Sequence, residues 1–143
     1  MANYPQRLYD DTDTELYKTN AYGGSGADLD NTTPVDDTDG YTSDINLEAK
    51  MGMVIDFKFD ASGTTDDLVL KLFKRRDNSW DGDEIAIAEI TVDSDGSEDN
   101  YHFTIDESFG PGHFRFSMQS SGGTDTFDID VQGRYYRYEI ATS

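Results

Sequence analysis

Cysteine is absent from this 143-residue chain, which excludes a disulfide scaffold and the thiolate type of zinc site. Basic residues are few: 11 Lys and Arg stand against 30 Asp and Glu, a formal charge of −19. A field of that sign repels phosphate backbones and anionic headgroups, so neither nucleic acid nor membrane is expected as a partner. The excess of aspartate suits either high solubility or salty water, where screening removes self-repulsion. No apolar run approaches the roughly 18 residues that cross a bilayer, and MANYPQRLYDDTDTE lacks the apolar core of a secretory signal. The expectation is one soluble domain, folded in a cytoplasm and long enough to bury a core.

Helical stripes are missing too, and from about Ile45 onward period-2 alternation takes over. Met51, Met53, Ile55, Phe57 and Phe59 share one face of a long strand. Leu68-Leu70-Leu72, Glu84 to Val92, Tyr101-Phe103-Ile105, Phe114-Phe116-Met118, Phe127-Ile129-Val131 and Arg134 to Ile140 follow, with a short early strand near Ile45. In Glu84 to Val92 the alternation slips near Ala88-Glu89, as at a bulge. The pattern predicts an all-β fold, an antiparallel two-sheet sandwich of about eight strands, jelly-roll or Greek-key.

One phrase occurs twice. SGTTDDLVLKL (Ser62–Leu72) and SGGTDTFDIDV (Ser121–Val131) both read Ser-Gly-x-Thr-Asp followed by alternating apolar residues, and both are preceded by an alternating strand. Strand, tight connection, strand predicts a β-hairpin used twice, with Gly, Ser and Asp supplying the turn chemistry. Asp60, Asp66 and Asp67 could gather calcium, but the second copy keeps only Asp125 near its turn, so a structural role is favoured.

Residues 1–44 differ: they are rich in Asp, Thr, Asn and Gly and hold no periodicity for long. They are read as an extended polar N-terminal arm, with 45–143 as the β-sandwich domain. Tyr4, Leu8, Tyr9, Tyr17 and Tyr22 suit an arm that orders on another surface, since tails that stay disordered are poor in aromatics. Tyr and Arg are enriched at interfaces, which adds Arg134, Tyr135 and Arg137 as partner-binding candidates. The alternative for that strand is Tyr136, Tyr138 and Ile140 packed inside, with the arginines solvated. Lys71, Lys74, Arg75 and Arg76 make a basic patch suited to an acidic partner.

Catalytic and metal chemistry find little to use. Asp77 to Glu84 and Asp93 to Gly96 lack the acid, glycine and glutamate register of an EF-hand. His102 and His113 neighbour inward strand residues and so point outward. No Gly-x-Ser-x-Gly elbow occurs, and paired carboxylates are unavoidable in so acidic a chain. The expectation is no enzyme, no cofactor and no metal. Trp80 could stack on sugar rings or cap one end of the core.

Ser62-Gly63-x-Thr65-Asp66, Trp80-Asp81, Phe114-Arg115-Phe116, Ser121-Gly122-x-Thr124-Asp125 and Arg134-Tyr135-Tyr136-Arg137-Tyr138 together resemble a group of small proteins encoded among the head genes of tailed viruses. The resemblance covers roughly residues 50–140 and implies a capsid decoration or cement protein: a compact β domain, often trimeric, on the capsid exterior. The major capsid protein would be its partner and no catalytic residues would be carried over. The alternative reading is a glycan-binding β-sandwich module or tail-fibre adhesin domain using Trp80 and tyrosines.

Overall fold

The computed structural model describes residues 3–19, 22 and 40–142, and their side chains over 5–19, 22 and 40–139. Ten strands form two antiparallel sheets. In the first sheet, β10 (Phe127–Thr142) lies between β5 (Gly52–Ala61) and two short strands laid end to end, β1 (Asn3–Tyr9) and β2 (Thr14–Lys18); β8 (Glu98–Ile105) closes the far side. The second is built the same way: β9 (His113–Ser120) lies between β6 (Leu68–Lys74) and the short β3 (Gly40–Tyr41) and β4 (Ile45–Asn46), with β7 (Ala86–Val92) outermost. Taking β1 with β2 and β3 with β4 as interrupted single strands leaves eight positions in jelly-roll order. The sandwich expected from alternation is the observed fold.

Among the described residues, only β6 and β7 form a hairpin between consecutive long strands. The repeated phrase does not. β5 belongs to the first sheet and β6 to the second, and β9 and β10 are likewise divided. Each Ser-Gly-x-Thr-Asp therefore arches from one sheet to the other. The local pattern is that of a hairpin, but the flanking strands pair across the repeat: β5 with β10 and β6 with β9. The two ladders also share a register. Leu68 faces Ser120 and Lys74 faces Phe114 in one; Phe127 faces Ala61 and Gly133 faces Ile55 in the other. Adding 59 to the β6 number and subtracting it from the β9 number maps one ladder on the other, the spacing that also separates Asp66 from Asp125.

The arches clasp each other. The Asp125 carboxylate accepts from the amides of Thr65 and Asp66, both at 2.7 Å. Asp66 answers, accepting from the amides of Thr124 at 2.9 Å and Asp125 at 2.7 Å and from the Ser120 hydroxyl at 3.1 Å. Ser62 Oγ takes the Thr126 amide and Ser121 Oγ the Asp67 amide, both at 2.9 Å. Both aspartates are buried, a placement that costs free energy unless the charge is hydrogen-bonded, as here. The Asp125 amide foremost, then the Thr124 amide and the Ser120 hydroxyl, holds the Asp66 carboxyl below the usual carboxylate range. Glycine is required beside each carboxylate: a Cβ on Gly122 would lie 2.5 Å from Asp66 Oδ1, and one on Gly63 would collide with Asp125 Oδ1.

Between the sheets, Phe57 and Phe103 of the first meet Phe116 of the second edge-on, at 5.0 and 5.4 Å between ring centres. Leu68, Leu70, Leu72, Ile129 and Val131 fill the rest with no exposed surface. Each such side chain contributes about 1.5–3 kcal/mol on burial. Met51 departs from the expected inward row: it is 42% exposed, because β5 begins at Gly52. The slip in β7 falls at Ile87, one residue before the expected place: Leu72 faces Ala88 and Phe73 faces Ala86. Ile85 and Ile87 are left exposed.

Two outcomes test the clasp. Gly122→Ala should destabilise the fold by roughly 1–3 kcal/mol, read as a lowered thermal midpoint, and Gly63→Ala should do likewise. Because the folded Asp66 value lies below the unfolded value of about 4, its stabilising share is complete above that pH and fades as pH falls further. Asp66→Asn should therefore lower the midpoint at neutral pH and flatten its decline in acid, measured by thermal melts from pH 7 downward.

Candidate docking surface

β10 outruns its neighbour. β5 pairs with it only from Phe127 to Tyr136, whereas β1 continues alongside it to Thr142. Residues 3–8 and 137–142 thus form a two-stranded ribbon that extends past the end of β5, with the far edges of both strands unpaired among the described residues. Leu8 lies opposite Arg137, Arg7 opposite Tyr138, Tyr9 opposite Tyr136 and Tyr4 opposite Ala141.

At the ribbon's base sits a cluster that period-2 reading misplaces. β10 runs unbroken through Gln132-Gly133, so its odd-numbered residues face the core as far as Tyr135, and Tyr136 lies on the outer face. Tyr136 is nonetheless fully buried. Its ring crosses Gly52, where a Cβ would collide with the tyrosine hydroxyl and the Ile105 carbonyl. Arg7 stacks on it at 4.5 Å, and Tyr9 and Tyr138 flank it at 5.7 and 5.9 Å. The 3-10 turn Glu107–Phe109 covers the rest: Glu107 accepts from the hydroxyls of Tyr138 at 3.0 Å and Tyr136 at 3.3 Å. Burial pushes the Tyr136 hydroxyl up to about 12, with Arg7 opposing the shift. Tyr136 is therefore inside, as the alternative reading of this strand has it, but in a satellite cluster on the opposite face of the sheet. Glycine within a strand pattern marks a close approach, so Gly52 was the available signal.

The remaining candidates scatter. Tyr17 is buried beside Val131, Tyr22 lies under Lys58 at 5.3 Å, and Arg134 donates to Asp13 at 2.9 Å. Tyr135 is half-buried against the core, its hydroxyl accepting from the Asn46 amide at 3.2 Å. The N-terminal segment expected as an arm supplies β1 and β2 to the first sheet and β3 to the second; residues 20, 21 and 23–39 lie outside those described. Trp80 does not cap the core. It packs outside the second sheet, where Arg115 is held between Tyr41 and Trp80 at 4.0 and 4.4 Å, and its indole N–H donates to Asp44 at 2.8 Å. Asp44 also holds His113 at 2.6 Å, which leaves that side chain 16% exposed; His102 points outward at 77%. In the basic patch, Lys74 donates to the Phe109 carbonyl at 2.8 Å and Arg75 lies 4.0 Å from Asp44. Arg76 is exposed.

Among the described residues no group of three or more His, Asp or Glu side chains could hold a metal ion, and no helix is long and apolar enough to cross a membrane. No family model matches the chain, and no curated protein matches it.

Gly52→Ala should expel Tyr136 from its seat and lower stability by roughly 1–3 kcal/mol. Near-ultraviolet circular dichroism, sensitive to fixed aromatic rings, would show the loss of the Tyr136 environment.

Proposed function

We propose that the chain is a virion structural protein of the capsid decoration or cement kind, which binds the outer surface formed by the major capsid protein and stabilises contacts between capsomers. The observation that supports this most directly is the β1–β10 ribbon. An isolated two-stranded ribbon is marginal in water, and open strand edges are the ordinary template for strand addition by a partner. A rigid jelly roll behind it gives the ribbon a fixed direction. On a symmetric shell, many copies convert weak single contacts into firm attachment, and association around a local axis as a trimer suits that setting. The strong negative charge keeps free copies apart before docking.

Co-sedimentation with empty heads assembled from the major capsid protein of the same virus tests the reading. The chain is expected to pellet saturably with heads and to be insensitive to EDTA. Leu8→Lys combined with Arg137→Glu places an opposite-charge pair across the strands where leucine faces arginine, while changing what the ribbon offers. This variant should bind roughly tenfold more weakly or worse, with its melting temperature preserved. A chain that stays in the supernatant, or a double variant that pellets like the parent, refutes the proposal.

A further inference from the structure

The outer face of the first sheet carries a groove of about 650 Å³, within the ~300–1,000 Å³ range of small-ligand clefts. Strand register lays its lining residues in two rows. Arg134, Val54 and Thr104 form one, and Gln132, Asp56 and His102 the next, with Tyr9 and Asp13 at one end.

Several of these groups have hydrogen-bonding capacity to spare. Asp56 Oδ1 is buried and accepts no hydrogen bond; the nearest His102 nitrogen lies 3.4 Å away without the alignment for one. The Asp56 side chain as a whole is 47% exposed, so a donor entering the groove can reach the carboxylate. Arg134 spends its Nε on Asp13, which leaves its terminal nitrogens as donors. Gln132 donates to Asp130 at 2.9 Å and retains its carbonyl as an acceptor. Within the first row Val54 offers an apolar patch, and Tyr9, 41% exposed, offers ring surface.

Asp13 and Asp56 against the single Arg134 disfavour an anion here. A ligand that both donates and accepts over an apolar face, and carries no charge, matches the lining. We propose that this groove binds a neutral oligosaccharide, its hydroxyls donating to Asp56 and accepting from Arg134 and His102. The site lies on the opposite sheet from Trp80 and does not depend on docking through the ribbon.

The experiment is an NMR titration of the full chain with gluco-, manno-, galacto- and xylo-oligosaccharides. At least one series should shift the amides of residues 54–56, 102–104 and 132–134 with millimolar or tighter affinity. Asp56→Ala and Gln132→Ala should each weaken it roughly tenfold or more, while Trp80→Ala should leave it unchanged. Asp56→Leu, which keeps the volume but has no acceptor, serves if Asp56→Ala fails to fold. Absence of any shift at tens of millimolar sugar overturns the proposal. So does undiminished binding by a folded Asp56 variant, or binding that depends on Trp80.

Discussion

Two buried carboxylates, each seated on the backbone amides of the other's loop, hold the two sheets together at one end of the sandwich. Neither aspartate could be buried alone, because an ionised carboxylate without donors is too costly in a protein interior. Each supplies the polar satisfaction that the other arch needs. The glycines exist to let the carboxylates in, and the serines tie the next amides along. This reciprocity lies where the β5–β10 and β6–β9 ladders begin and matches their common register.

Much of this was legible in the sequence, and the failures are informative. Alternation identified the sandwich and nearly all of its core rows, since one dry face and one wet face is what a two-layer fold imposes. The repeat was visible as well, but its meaning was not. A turn between two alternating strands looks the same whether those strands pair with each other or with strands far away in the chain. The distinction lies in the partner of Asp66, which is Asp125, 59 positions on. The burial of Tyr136 was one of two readings, but its seat on the outer face was hidden for a similar reason: it is made by Gly52, Arg7 and Glu107, brought together from three distant segments. His113 and Trp80 share a single organiser in Asp44, which no local pattern announces.

Seen as a surface, the molecule divides its labour. The β1–β10 ribbon lies past the end of the sandwich, and the polar groove occupies the broad outer face of the same sheet. The Arg115 stack with Tyr41 and Trp80 stiffens the outside of the second sheet, where cation and ring faces satisfy each other. Nothing in this layout requires one surface to move for another to act.

The central place of β10 also governs the order in which the first sheet can be assembled during translation. β1 and β2 leave the ribosome before β10, yet β10 is their hydrogen-bonding partner. Until then, β1 and β2 have no ladder to join, and the dominant contacts are between distant parts of the chain, the topology associated with slow folding. A nascent chain stalled before residue 127 would expose the edge of β5 that β10 normally covers, an invitation to pair with a neighbour.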